Sequence, residues 1–187
     1  FTSPVSGTVA EVVRGEKRKL LEIRITNDKQ QTAVRFEAPA AEKATREQVR
    51  DLLLQSGLWA CLKQRPYGIL AKPDDEPKAI FISGFNSAPL AADLDFVAKE
   101  ELQAIQAGIN ALNKLTAGGV HLGLHQSNHA STPLHKLDNV KIHVFSGPHP
   151  SGNVGIQIHH VAPIQKGEVV WTLGLHQLIF IGRLFLN

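Results

Sequence analysis

The sequence predicts an α/β protein in two parts. An incomplete N-terminal β-barrel segment occupies residues 1–40, and a Rossmann-like α/β domain with a mainly parallel sheet occupies residues 41–187. Three observations predict it. Residues 1–36 alternate apolar and polar positions with period two, as half-buried strands do. From Ala79 onward, short apolar runs alternate with helix-spaced segments, the order that builds a parallel sheet with crossover helices. Between two of those elements, the ten residues from Ser146 to Gly155 hold three glycines and two prolines. That composition cannot continue a helix or a central strand, but it can hold a fixed loop whose backbone comes close to something else. Loops at this place in α/β domains commonly bind ligands; the other reading is a tight connection with no ligand.

The elements follow in order. Ser3-Pro4-Val5-Ser6-Gly7 is turn chemistry ahead of a strand at Val9–Val13. Arg14-Gly15-Glu16-Lys17 reads as a hairpin tip. Leu21, Ile23 and Ile25 then share one face, and Thr32–Phe36 is a third short strand candidate. Three short strands cannot close a barrel. The segment is therefore expected to pair within a dimer or to expose edges. The chain starts at Phe1 and has no methionine, so further strands are expected from sequence before Phe1.

After an Ala/Pro linker at 37–44, Thr45 is a predicted helix N-cap, with Gln48 completing a capping box. Val49, Leu52 and Leu53 form the apolar stripe of that helix, which ends near Gly57. Ala79–Ser83 reads as a buried strand ended by Gly84. Leu102, Ile105, Ile109 and Leu112 keep helical spacing, with Gly118-Gly119 as the stop. Val120, Leu122 and Leu124 alternate as a strand, and so do Val140, Ile142 and Val144. A helix is predicted from Val154 with Asn153 as its cap, then a strand at Val169–Leu173, then a buried helix over 175–186.

Bulk properties exclude several functions. The hydrophobic fraction is 43% and the net charge is only +3, which allows a sizeable core and argues against disorder. The one basic cluster, Arg14, Lys17, Arg18 and Lys19, has no aromatic residues interleaved, so no nucleic-acid partner is expected. The single cysteine, Cys61, lies among apolar residues and is expected to be a buried, inert thiol. No apolar run approaches the ~18 residues that a membrane span needs.

The chemical motifs are mostly absent. There is no Gly-x-Ser-x-Gly, no Gly-x-Gly-x-x-Gly and no phosphate loop. His121, His125 and His129 are four apart, but on a predicted strand, and no cysteine or carboxylate joins them at ligand spacing. No metal site is expected.

Several segments, in order, carry a resemblance: Ser3-Pro4-Val5-Ser6-Gly7-Thr8-Val9, Ser56-Gly57-Leu58-Trp59, Arg65-Pro66-Tyr67, Lys78-Ala79-Ile80-Phe81, Ala88-Pro89-Leu90-Ala91, Gly147-Pro148-His149-Pro150 and Ile181-Gly182-Arg183-Leu184-Phe185. Together they resemble the A-subunit family of the bacterial sodium-translocating NADH:quinone oxidoreductases, over essentially the whole chain. The resemblance implies a lipoyl-like, barrel-sandwich N-terminal segment. It also implies kinship with the flavin-bearing subunit of respiratory complex I, an oxidoreductase, and a place among the other subunits of the complex on the cytoplasmic face of the bacterial inner membrane. Flavin and NADH would be used by other subunits, with ubiquinone as the substrate.

The complex I relatives hold flavin in a Gly-rich turn after the first helix. Here the matching segment runs from Ser56 to Tyr67, with Trp59, Leu62 and Lys63 where small residues would be needed. Side chains there are expected to fill the phosphate's space, so the fold is expected without bound flavin. For quinone contact the candidates are Trp59, Arg65, Tyr67, Gly147, His149, Gly152 and Asn153: a flat, apolar molecule with two carbonyl acceptors needs apolar walls and a few donors. A flavin- or nucleotide-binding subunit that keeps the ancestral site, and a scaffold-only interaction module, are the alternatives.

Overall fold

A computed structural model describes residues 2–186. They fall into two compact units that divide between Phe36 and Glu37.

The first unit is a two-stranded antiparallel hairpin of β1 (Gly7–Arg14) and β2 (Leu20–Asn27). Its tip closes where the Gly15 amide donates to the Lys19 carbonyl at 2.8 Å. Lys17 and Arg18 are left-handed there, at φ 53° and 61°. The expected third strand at Thr32–Phe36 does not form. Asn27 and Asp28 turn their side-chain oxygens onto the amides of Lys29 and Gln30, at 2.7 and 2.9 Å. Lys29 and Gln31 then take positive φ, which diverts the chain from extended geometry. The hairpin exposes Val9, Val12 and Leu21, and its outer edges carry no pairing strand among the described residues.

The second unit opens with α1 (Arg46–Gln55). The predicted capping box is present. Thr45 Oγ1 accepts from the Gln48 amide at 3.3 Å, and Gln48 Oε1 accepts from the Thr45 amide at 2.9 Å. Gly57 ends the helix at φ 78°, a left-handed value that glycine reaches without strain.

A six-stranded sheet follows. Its strands are β3 (Lys63–Arg65), β4 (Ile69–Leu70), β5 (Ile80–Ser83), β6 (Val120–His125), β7 (Val140–Phe145) and β8 (Val170–Gly174), in the order β4-β3-β8-β5-β6-β7. The pairs β8–β5, β5–β6 and β6–β7 are parallel, while β3 runs antiparallel to β8 and β4. The mainly parallel sheet is as predicted. The short β3 and β4 were not expected: with three and two residues they are too brief to show a period. The short helix α2 (Leu94–Ala98), capped by Asp93, was missed for the same reason.

Helix α3 (Leu102–Asn113) joins β5 to β6, α4 (Val154–Val161) joins β7 to β8, and α5 (Leu175–Leu186) follows β8. The two crossovers run in opposite directions across the sheet, so right-handed connections place α3 and α4 on opposite faces. On the α4 side, Ile158 packs with Ala79, Phe81 and Val170. On the other side α3 and α5 meet closely. A Cβ added at Gly182 would stand 1.6 Å from the Ala104 carbonyl oxygen. Helix α3 stops at Asn113, short of the predicted Gly118-Gly119. Those glycines serve the entry to β6 instead: a Cβ on Gly118 would lie 1.8 Å from the Lys78 carbonyl oxygen, and Gly119 is at φ 84°.

Candidate functional site

The chain passes from β5 to β6 to β7, then returns behind both to place β8 on the far side of β5. In open α/β sheets ligands sit outside the carboxyl ends of the strands, where the strand order reverses in this way. A cleft of about 600 Å³ lies there. Ser83 at the end of β5 and Gly174 at the end of β8 form part of its wall. The first turns of α4 and α5 contribute Asn153, Val154, Leu175 and His176.

The Gly/Pro loop approaches this cleft, but its close backbone contact is with protein. The Gly152 amide donates to Ser87 Oγ at 2.8 Å, and Ser83 Oγ donates to the Gly152 carbonyl at 3.0 Å. A Cβ on Gly152 would stand 2.5 Å from the Ser87 amide nitrogen, so glycine is required for the two loops to meet. His149 Nδ1 is 3.2 Å from the same Ser87 hydroxyl. The predicted cap is formed, with Asn153 Oδ1 accepting from the Gly155 amide at 2.9 Å.

The seven sequence-predicted residues do not converge as a set. His149, Gly152 and Asn153 line the cleft. Arg65 lies beside it: its Nη2 is 2.8 Å from where a Cβ on Gly155 would be, against the first turn of α4. Gly147, at φ 124°, holds the loop, its carbonyl accepting from Ser151 Oγ at 3.0 Å. Tyr67 stands 81% exposed in the turn between β3 and β4. Trp59 belongs to the core. It is 3% exposed, and its indole N–H donates to the Ala71 carbonyl at 2.8 Å.

Trp59 therefore corrects the steric expectation. The residue after α1 turns inward because burying its large apolar surface is strongly favourable, and Leu62, 0% exposed, does the same. Of the three bulky residues expected to fill a phosphate's space, only Lys63 lines the cleft. The backbone of the segment is largely engaged within the protein. Amides of Gly57, Ala60, Leu62, Gly68 and Ala71 donate to nearby carbonyls at 2.8–3.3 Å. Lys63 to Arg65 are held in ladders with β8 and β4. A phosphate cradle needs several amides free at once, and these are engaged.

Cys61 is half-buried, not buried as expected. Burial pushes its thiol up, and the Lys63 charge works the other way. His121 sits on β6, stacked between Phe81 and His143, away from the cleft. Among the described residues no group of three or more His, Cys, Asp or Glu could hold a metal. No described helix is long and apolar enough to cross a membrane.

Sequence reading missed Ser83, Phe85, Asn86, His176 and Gln177, all in the cleft wall, and took Lys63 only as a bulky residue in a phosphate's place. A usable signal was present for several of them. Ser83 ends one parallel strand, and Phe85 and Asn86 follow directly; His176 and Gln177 open the helix after another.

With this geometry in view, comparisons with known proteins are specific. The family model described as the NqrA second alpha/beta domain matches residues 44–187. The one described as the NqrA N-terminal barrel-sandwich hybrid domain matches residues 1–28. The A subunit of the Na(+)-translocating NADH-quinone reductase of Photorhabdus laumondii is 38% identical over 99% of this chain, and that of Yersinia pseudotuberculosis 40% over 99%. That of Pseudomonas aeruginosa is 38% identical, again over 99%. Each match takes in 41% of the relative, so the chain spans about two-fifths of those relatives' length. Among solved structures, an NAD+-reducing nickel–iron hydrogenase in the air-oxidised state aligns over 81% of this chain and 32% of its own, at TM-score 0.53 and 13% identity. At that identity the likeness is one of fold alone. The family models reach both units, and the relatives match nearly the whole of this sequence: the chain belongs to the NqrA family, the A subunits of the Na(+)-translocating NADH-quinone reductases.

Proposed function

We propose that the chain is part of a peripheral subunit of a sodium-pumping NADH:ubiquinone reductase. In this reading it sits on the cytoplasmic face of the bacterial inner membrane, contributes to quinone reduction and complex assembly, and binds no flavin itself. Flavin and NADH are handled by the other subunits. The observation that carries the reading is the 38–40% identity to NqrA proteins across nearly the whole chain.

The structure supports each part differently. The engaged amides of Gly57, Ala60, Leu62, Gly68 and Ala71 count against a flavin or nucleotide phosphate along the segment after α1. The cleft beyond β5 and β8 has apolar wall residues, among them Phe85, Leu94 and Leu173, and donors in Asn86 and Gln177. Those are the surfaces that a flat quinone with two carbonyl acceptors needs. His149, Gly152 and Asn153 are its contact residues from the loop.

Titration of a short-chain ubiquinone analogue against the intact complex and against a complex carrying His149→Ala tests the quinone part. Weaker quinone binding in the variant, with the complex still assembled, is the expected result. Unchanged binding and unchanged quinone reduction would remove the cleft from the reaction and leave this chain with a scaffold role only.

A further inference from the structure

The cleft is electrostatically one-sided. None of its sixteen wall residues is Asp or Glu, while Lys63 contributes a cation. Among the described residues, the Lys63 ammonium has no ion pair or hydrogen bond from its Nζ. Lys63 is opposite Thr172 in the β3–β8 ladder, which directs it to the same sheet face as Thr172 and α4.

Arg65 lies two residues along the same face, its guanidinium packed against the first turn of α4. A helix N-terminus carries partial positive charge and favours an anion. Here it meets a cation, with no carboxylate bridging the two among the described residues. The opening turn of α5 borders the same cavity through Leu175, His176 and Gln177, where the first helical amides have no intrahelical partner.

Phe85, Leu94, Val154, Leu173 and Leu175 supply apolar wall, beside the neutral polar side chains of Ser83, Asn86, Asn153, Thr172 and Gln177. One full positive charge beside an apolar wall patch, in a cleft of about 600 Å³, suits a ligand with one negative charge and a hydrocarbon body. A larger anionic group would need several free amides, and those of Gly57, Ala60, Leu62, Gly68 and Ala71 are engaged.

We propose that this cleft binds a small carboxylic acid, with the carboxylate on Lys63 and the apolar body against Phe85, Leu94 and Leu173. The inference goes beyond the quinone reading and does not depend on it. A carboxylate seated there would share walls with a quinone, so the two ligands would compete.

The test titrates octanoate into the 187-residue chain by calorimetry, with octanamide as the uncharged match and inorganic phosphate as a second anion. Saturable octanoate binding is expected. Octanamide and the Lys63→Gln variant should each bind at least about tenfold more weakly. Lys72→Gln, on a lysine outside the cleft wall, should leave binding unchanged. Amide resonances of Gly152, Leu175 and His176 should shift with octanoate. Equal affinity for octanamide, indifference to Lys63→Gln, tighter binding of phosphate than of octanoate, or no saturation would overturn the proposal. None of those results would touch the flavin-free reading, which flavin retention alone would contradict.

Discussion

The indole of Trp59 meets that of Trp171 edge to face, with ring centres 5.4 Å apart and planes at 81°. The first comes from the turn after α1 and the second from β8, so the contact ties the start of the α/β unit to the middle of its sheet. Both rings are buried, at 3% and 0% exposure. Edge-to-face pairs add about 0.5–1.5 kcal/mol beyond the burial of their surface.

Trp59→Ala should therefore cost about 3–5 kcal/mol of stability, measured by urea unfolding. Trp59→Leu, which keeps more of the volume, should cost less and stay folded. Neither variant should acquire flavin. Flavin retention by Trp59→Leu would revive the idea that side-chain bulk, and not the backbone, shuts the site.

His121 and His143 give a pH dependence. Nδ1 of His121 is 3.0 Å from Nε2 of His143. Burial, then the neighbouring His143 and Lys141, push His121 down from 6.5 to about 4. Burial and Lys141 lower His143 as well. Below the ordinary imidazole value the unfolded chain takes up a proton that the folded chain refuses. The stabilisation is therefore complete above pH 6.5 and is lost as the pH falls toward 4. The loss should reach about 2 kcal/mol between those limits. Urea midpoints across that range should fall in the parent chain and fall less in His121→Gln.

Gly182→Ala should destabilise by about 2–3 kcal/mol, because the new methyl would push α5 away from the Ala104 carbonyl. Gly167→Ala is the control. A Cβ there would meet nothing within 4 Å, so any cost comes from its φ of 88° alone. Thermal unfolding of the two variants separates packing from backbone strain.

Thr45→Ala removes one half of the capping box on α1. A loss of about 1 kcal/mol is expected, with the rest of the fold unchanged by circular dichroism.

Much of the fold was legible because its signals are local. The Thr45–Gln48 box, the alternation in β6 and β7, the helical spacing in α3 and the Asn153 cap each lie within a few residues. The site was less legible because it depends on which strands become neighbours. Lys63 acquires its place in the cleft only when the three-residue β3 pairs with β8, more than a hundred residues later in the chain. Trp59, a quinone-contact candidate from sequence, goes to the core for a related reason: its packing partner Trp171 comes from a strand far along the chain. The Thr32–Phe36 strand failed because period two ignores the Asx turns just before it.

With the amides of Gly57, Ala60, Leu62, Gly68 and Ala71 already bonded, the segment after α1 is expected not to seat a flavin phosphate. Incubation of the purified chain with equimolar flavin mononucleotide, followed by gel filtration and a visible spectrum, tests it most directly. A colourless protein peak is the predicted result. A protein peak that keeps one flavin per chain, with the amide resonances of residues 57–65 shifted, would contradict it.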